Sequence, residues 1–257
     1  MGDNTSPKPS APSTSAAPKT TQEQIPYWHV NVPPALRTPD CPPFLQNLNP
    51  KDLRIISTPD RDYHVLTWPE VRSIISANRL DLFQRVPSDL RRYLENNYHL
   101  KQRYGSVMDY ILTHRLGWEQ PLVAAGRTPF EREEEDVKML WNDWPYGIDQ
   151  RIVHLVVWTK FVLEEDPTTG DLTEEMRGRI EEYVRRRFCD GAAGGLERDN
   201  VIWFKNWASL KSIHAVEHFH VMLFDPSPEF IDNVTNGDVP LFKRGKVWEE
   251  QMVETSS

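Results

Sequence analysis

The chain has 257 residues, 39% of them hydrophobic and 26% charged, with a formal net charge of −8. Nine Trp, eight Tyr and ten Phe suffice for a folded core and exclude wholesale disorder. The acidic balance argues against a broad nucleic-acid surface; no run approaches the ~20 apolar residues of a membrane span, and two cysteines cannot build a disulfide framework or a cysteine-rich zinc site.

Residues 1–25 are mostly Ser, Thr, Pro, Ala and Lys. They offer too little apolar surface to offset ordering entropy and predict a disordered tail. The tail has no basic start leading into an apolar core, and no Arg, so neither a secretory signal nor a mitochondrial presequence is expected. With so few cysteines, the expected compartment is the cytoplasm. Residues 26–66 begin with Pro26, Pro33, Pro34, Pro39, Pro42, Pro43 and Pro50. Each lacks a donor and fixes its own backbone angle, which predicts an extended strap anchored by Tyr27, Trp28, Phe44 and Leu45.

Residues 67–245 predict one α+β domain, and 246–257 a fraying tail. The first part, 67–118, is helical. Thr67 caps a helix opening Trp68-Pro69-Glu70, and Pro87-Ser88-Asp89 opens a second. A further run, Val107, Tyr110, Ile111 and Leu116, ends at Gly117. Arg85, Arg91, Arg92, Lys101 and Arg103 are expected on a solvated face. Residues 131–136 are a charge run of helix surface or loop. Asn142 to Gly147 is a turn cluster. Ile152 to Trp158 is continuous and β-branched, the pattern of a strand buried on both faces. Asp171 to Glu175 opens a helix with Met176, Ile180, Tyr183, Val184 and Phe188 on one face. Val201 to Phe204 is a second strand, and residues 213–224 contain a third. That order implies a largely antiparallel sheet. After Pro226 the chain is expected to be rich in turns.

Chemistry concentrates near the end. Three of the eight histidines are His214, His218 and His220. On a strand, residues two apart share a face, so His218 and His220 point the same way, with Val216 on that line, and Glu217 and Phe219 point the other. Paired core histidines held by backbone carbonyls would be purely structural. Two imidazoles at this spacing also suit a metal, with His154 or Glu217 completing the set. A neutral imidazole is equally a nucleophile at phosphorus, with Lys205, Lys211 and Ser212 just upstream to meet a phosphate.

Asn142-Asp143-Trp144-Pro145-Tyr146-Gly147, then His154-Leu155-Val156-Val157, then a helix opening Asp-Leu-Thr, Asn206, Ser212 and His218-Phe219-His220-Val221 resemble the histidine-triad (HIT) proteins in order. The first triad histidine falls on Val216, and Lys211 stands where Gln is usual. The resemblance implies a HIT-like sheet over 138–225 and a nucleotide or nucleotide sugar as phosphate ligand. It implies a hydrolase or nucleotidyltransferase with His218 as nucleophile, His220 and His154 in support, and Lys211, Ser212, Asn206, Lys205 and Asn142 around the substrate. It also implies a homodimer, and neither cofactor, nucleic acid nor membrane is expected. Trp-Pro-Tyr-Gly-Ile-Asp with Val-Val-Trp-Thr-Lys, and Trp-Phe-Lys-Asn-Trp with Glu-His-Phe-His-Val, are similar to the fungal N-acetylglucosamine-induced proteins. That second resemblance implies a non-catalytic binding or regulatory role in amino-sugar metabolism as the alternative.

Overall fold

A computed structural model describes residues 25–190, 195–206 and 216–245. Its centre is a four-stranded antiparallel sheet: β1 (Val137–Trp141), β2 (Ile152–Thr159), β3 (Val201–Phe204) and β4 (Glu217–Phe224), in the order β1-β2-β4-β3. The two inner strands are the apolar ones, because both of their faces are covered. The α+β class and the three expected strands are present. The fourth strand, β1, falls directly after the acidic run, whose Glu133–Asp136 form a short helix, α5, and its Lys138 donates to the Leu116 carbonyl.

Strand parity divides the core. Leu155, Val157, Phe219, Val221 and Leu223 face one side, under α6 (Glu174–Val184) and α7 (Pro228–Thr235). The Thr173 hydroxyl caps α6 by accepting from the Met176 amide, and Met176, Ile180, Tyr183 and Val184 are its buried face. Val156, Trp158, Met222 and Phe204 face the opposite side. There the N-terminal helices pack: α2 (Trp68–Ser76), α3 (Pro87–Tyr104) and α4 (Val107–Tyr110), which runs on as a wider turn through Leu116. Thr67 and Glu70 form a capping box on α2, and Gly117 closes the last turn in the left-handed region, φ 64°.

Two expectations need correction. The strap is not wholly extended: Pro50–Ile56 forms a helix, α1, because Asn49 accepts from the Asp52 amide and Pro50 suits the first helical turn. The segment after Pro226 is not all turn: Ser227 caps α7 by accepting from the Phe230 amide, and a short helix α8 (Leu241–Arg244) follows. Of the expected tails at 1–25 and 246–257, residues 1–24 and 246–257 lie outside the described residues. Among the described residues, no helix is long and apolar enough to cross a membrane.

Candidate functional site

The face of the sheet under α2, α3 and α4 carries the histidines. β2 and β4 pair with Val156 opposite His220 and Trp158 opposite His218. His154, two residues before Val156, is therefore a diagonal neighbour of His220. Its Nε2 lies 3.0 Å from His220 Nδ1. The line continues outward at both ends. The Asn142 amide nitrogen is 3.2 Å from both His154 Nδ1 and Nε2, and the Asn206 amide nitrogen is 3.0 Å from His220 Nε2. His154, His220 and Asn206 are buried, His154 with only 1% exposed, and Asn142 is partly exposed.

Asn142 Oδ1 accepts from the Trp144 backbone amide at 3.0 Å, so its NH2 faces His154. The Asn206 nitrogen faces His220 Nε2, and a hydrogen bond also joins Asn206 to the Tyr146 hydroxyl. Two amides bracket two neutral imidazoles. Burial drives the His154 pKa down to about 3, with the Arg85 charge adding to the effect. Burial, then the neighbouring His154, His218 and Arg85, holds His220 well below its usual range. The chain of bonds fixes orientation, and neither end is a carboxylate that would take up a proton.

His218 is held differently. Its Nδ1 lies 2.9 Å from the Val216 carbonyl oxygen, which can only accept, so Nδ1 carries a proton. Its ring lies 4.6 Å from Trp158, centroid to centroid. His220 stacks on Phe204 at 4.9 Å.

Beside this array lies a cavity of about 800 Å³ between sheet and helices. His218, His220, Asn206 and Asn142 line it, with Trp144, Trp158, Tyr146 and Tyr93 as aromatic wall. Both histidines of the pair are thus nearly sealed from outside solvent and still border open space. His154 lies behind the wall. Lys205 does not join: parity turns it from Asn206, and it pairs with Glu165. Glu217 likewise leaves on the opposite side from the histidine pair, so it cannot complete a metal set with them. Among the described residues, no three His, Cys, Asp or Glu side chains group as metal ligands. Lys211 and Ser212 lie outside the described residues.

Arg85, expected on a solvated helix face, lines the cavity instead. It precedes α3, in the extended stretch Phe83-Gln84-Arg85-Val86. Its Nε donates to the Trp144 carbonyl at 3.0 Å and its guanidinium sits 3.9 Å from the Tyr93 ring centre. Among the described residues it makes no salt bridge. The usable signal was the pattern after Phe83: in an extended segment, residue 85 shares the side of buried Phe83. Gly147 closes the turn cluster against Tyr63, whose ring a Cβ would strike, and its amide donates to the Gln84 carbonyl at 2.8 Å.

Three comparisons bear on kinship. Over 188 residues the chain is 28% identical to N-acetylglucosamine-induced protein 1 of Candida albicans, covering 66% of this chain and 73% of that one. It is 26% identical over 165 residues to the uncharacterized protein YPL067C of Saccharomyces cerevisiae, covering 63% and 81%. The crystal structure of HTC1 superposes with a TM-score of 0.52 at 24% identity, covering 68% of this chain and 98% of the other, which speaks to the fold alone. Residues 67–224 match the family described as "Protein of unknown function (DUF3605)". That segment holds the whole sheet, the histidine array and α2 to α4, and the chain belongs to this family, alongside the fungal N-acetylglucosamine-induced protein.

Proposed function

We propose that the chain binds a nucleotide or nucleotide sugar in the cavity between sheet and helices, with the phosphate against Arg85 and His218. One observation carries this reading: a cavity of about 800 Å³, a size suited to such a ligand, whose lining brings Arg85 together with His218, His220, Asn206 and aromatic rings that include Tyr146 and Trp158. The guanidinium supplies charge and paired donors to phosphate oxygens. The imidazoles and amides supply neutral polar contacts, and the rings offer stacking surface for a base. The test is a thermal-shift series on the full chain with nucleoside mono- and diphosphates and nucleotide sugars. A ligand that binds only the folded state raises the midpoint with concentration. No shift with any of them would overturn the reading.

A second reading, catalysis, is favoured by the hold on His218. With Nδ1–H tied to Val216, Nε2 of the neutral ring is its nucleophilic end. Attack at the α-phosphorus would form the N–P bond as the bond to the leaving phosphate or sugar phosphate breaks. Water then cleaves N–P and releases the mononucleotide. Radiolabelled nucleotide should leave an acid-labile, base-stable adduct on the wild type and none on His218→Ala. Binding without any adduct leaves the non-catalytic role linked to amino-sugar metabolism.

A further inference from the structure

Four cations line the cavity: Lys51, Arg85, Lys101 and Arg115. Two carboxylates join them, Asp52 and Asp143. Most of this charge is already matched. Arg115 and Arg244 face Asp143 and Asp238, two charges of each sign. At the α1 end, Lys51 and Asp52 are neighbours of opposite sign, and the Lys51 ammonium donates to the Asp81 carbonyl at 2.9 Å. Asp89 acts on Arg85 from outside the lining, and its carboxylate pairs with Arg92 at 3.3 Å. Arg85 and Lys101 are left over. In a chain of net charge −8, the cavity thus carries two unmatched positive charges.

Both are reachable. Arg85 is partly exposed and Lys101 is exposed, so Lys101 stands where the cavity opens. The Arg85 Nε is tied to Trp144, which leaves its two NH2 groups without a partner among the described residues. The Lys101 ammonium has neither hydrogen bond nor ion pair among them. Tyr93, Asn97 and Lys101 follow one another at four-residue spacing on α3, and all three line the cavity. Arg85 rests on the Tyr93 ring, and Lys101 lies two turns further, about 12 Å along the axis at about 1.5 Å per residue. A single phosphate, bonded at about 2.8 Å on each side, is too short to bridge that gap. Two or three phosphates in a row are long enough.

We infer that Lys101 is a second phosphate contact: the cavity takes a ligand whose phosphates are linked in a chain, one on Arg85 and the next on Lys101. This rests on the proposed phosphate site and narrows it to diphosphates and their sugar conjugates, with monophosphates as the weaker class. A lysine in the last turn of a helix also steadies the helix dipole. That structural role would be read as stability, not as discrimination between ligands.

The experiment is titration calorimetry on the full chain with the monophosphates, diphosphates and diphosphate glucoses of uridine and adenosine. In the wild type, the tighter of diphosphate and conjugate should exceed its monophosphate about tenfold, the scale of one added charge-assisted contact at an open site. Lys101→Met should erase most of that ratio and leave monophosphate affinity unchanged, with folding checked by circular dichroism. Arg85→Met should weaken both classes. Equal affinity for the two classes in the wild type overturns the Lys101 contact, and the phosphate site then stands only if Arg85→Met weakens both. A ratio that survives in folded Lys101→Met overturns the contact as well. A ratio lost in Lys101→Met, with Arg85→Met binding as the wild type does, upholds the Lys101 contact and overturns the place given to Arg85. No binding of any of the six overturns both.

Discussion

His154 and His220 are neutral in the fold and ordinary in the unfolded chain, and this difference has a sign. Burial places the His154 pKa at about 3 and His220 well below its usual value, whereas an unfolded histidine titrates near 6.5. Below about pH 6.5 the unfolded chain binds more protons than the native one, so stability falls as the solution is acidified. Above it the two states bind equally and the effect vanishes. Each histidine should contribute a slope of about 1.4 kcal/mol per pH unit through mildly acid pH. Urea unfolding at steps from pH 7 to 4.5 would show it, and His154→Gln should remove one histidine's share. An unchanged slope would mean that the ring is protonated in the native state. The sequence made the shared face of His218 and His220 legible, because period two is a geometric rule. It did not show that His154 would bond His220, since that contact depends on the β2–β4 register. It also misplaced Arg85 by grouping it with helical arginines, although it precedes the helix.

At the level of elements, parity along β3 separates neighbours in sequence. Asn206 follows Phe204 onto the cavity face, and Lys205 turns away to Glu165. Replacing Asn206 with Ala should weaken ligand binding in calorimetry, and Lys205→Ala should not. Equal losses would contradict the strand direction. The helices whose start signals were plain, at Thr67, at Pro87 and within Asp171 to Glu175, formed there, the last with Thr173 as its cap. Helix α7 was hidden by Pro226 and Pro228, which suggest turns. Pro228 sits in the first turn behind the Ser227 cap, a position where its missing amide costs nothing. Ser227→Ala should lower stability by about 1 kcal/mol in denaturant titration, and no change would show the cap to be idle. Strand β1 was hidden because it is short and follows four acidic residues in a row.

Across the whole molecule, Arg115 joins distant pieces of chain. It leaves α4's extension, grips Asp143 of the turn before β2, and grips Asp238 after α7. Asp238 also accepts from the Trp141 amide and Asp143 from the Leu241 amide. Burial opposes the Arg115 charge, but the hydrogen bond to Asp238 and the charges of Asp143 and Asp238 outweigh it, and the pKa rises. Arg115→Met would leave Asp143 without its cation and Asp238 with Arg244 alone, and should cost about 3 kcal/mol in urea unfolding; a loss below 1 kcal/mol, the scale of surface pairs, would contradict a buried lock. This tie encloses one end of the cavity and was invisible in sequence, because its partners are separated by 28 and 123 positions. What a sequence pattern conveys is the face of each element; which faces meet around a cavity depends on packing over long separations. The central claim is that this cavity takes a phosphate-bearing ligand against Arg85. Its most direct test is calorimetric titration of nucleotide sugars into the wild type and Arg85→Met: saturable one-to-one binding weakened about tenfold or more by the substitution is predicted, and equal affinity in the two proteins, or no heat in either, would contradict it.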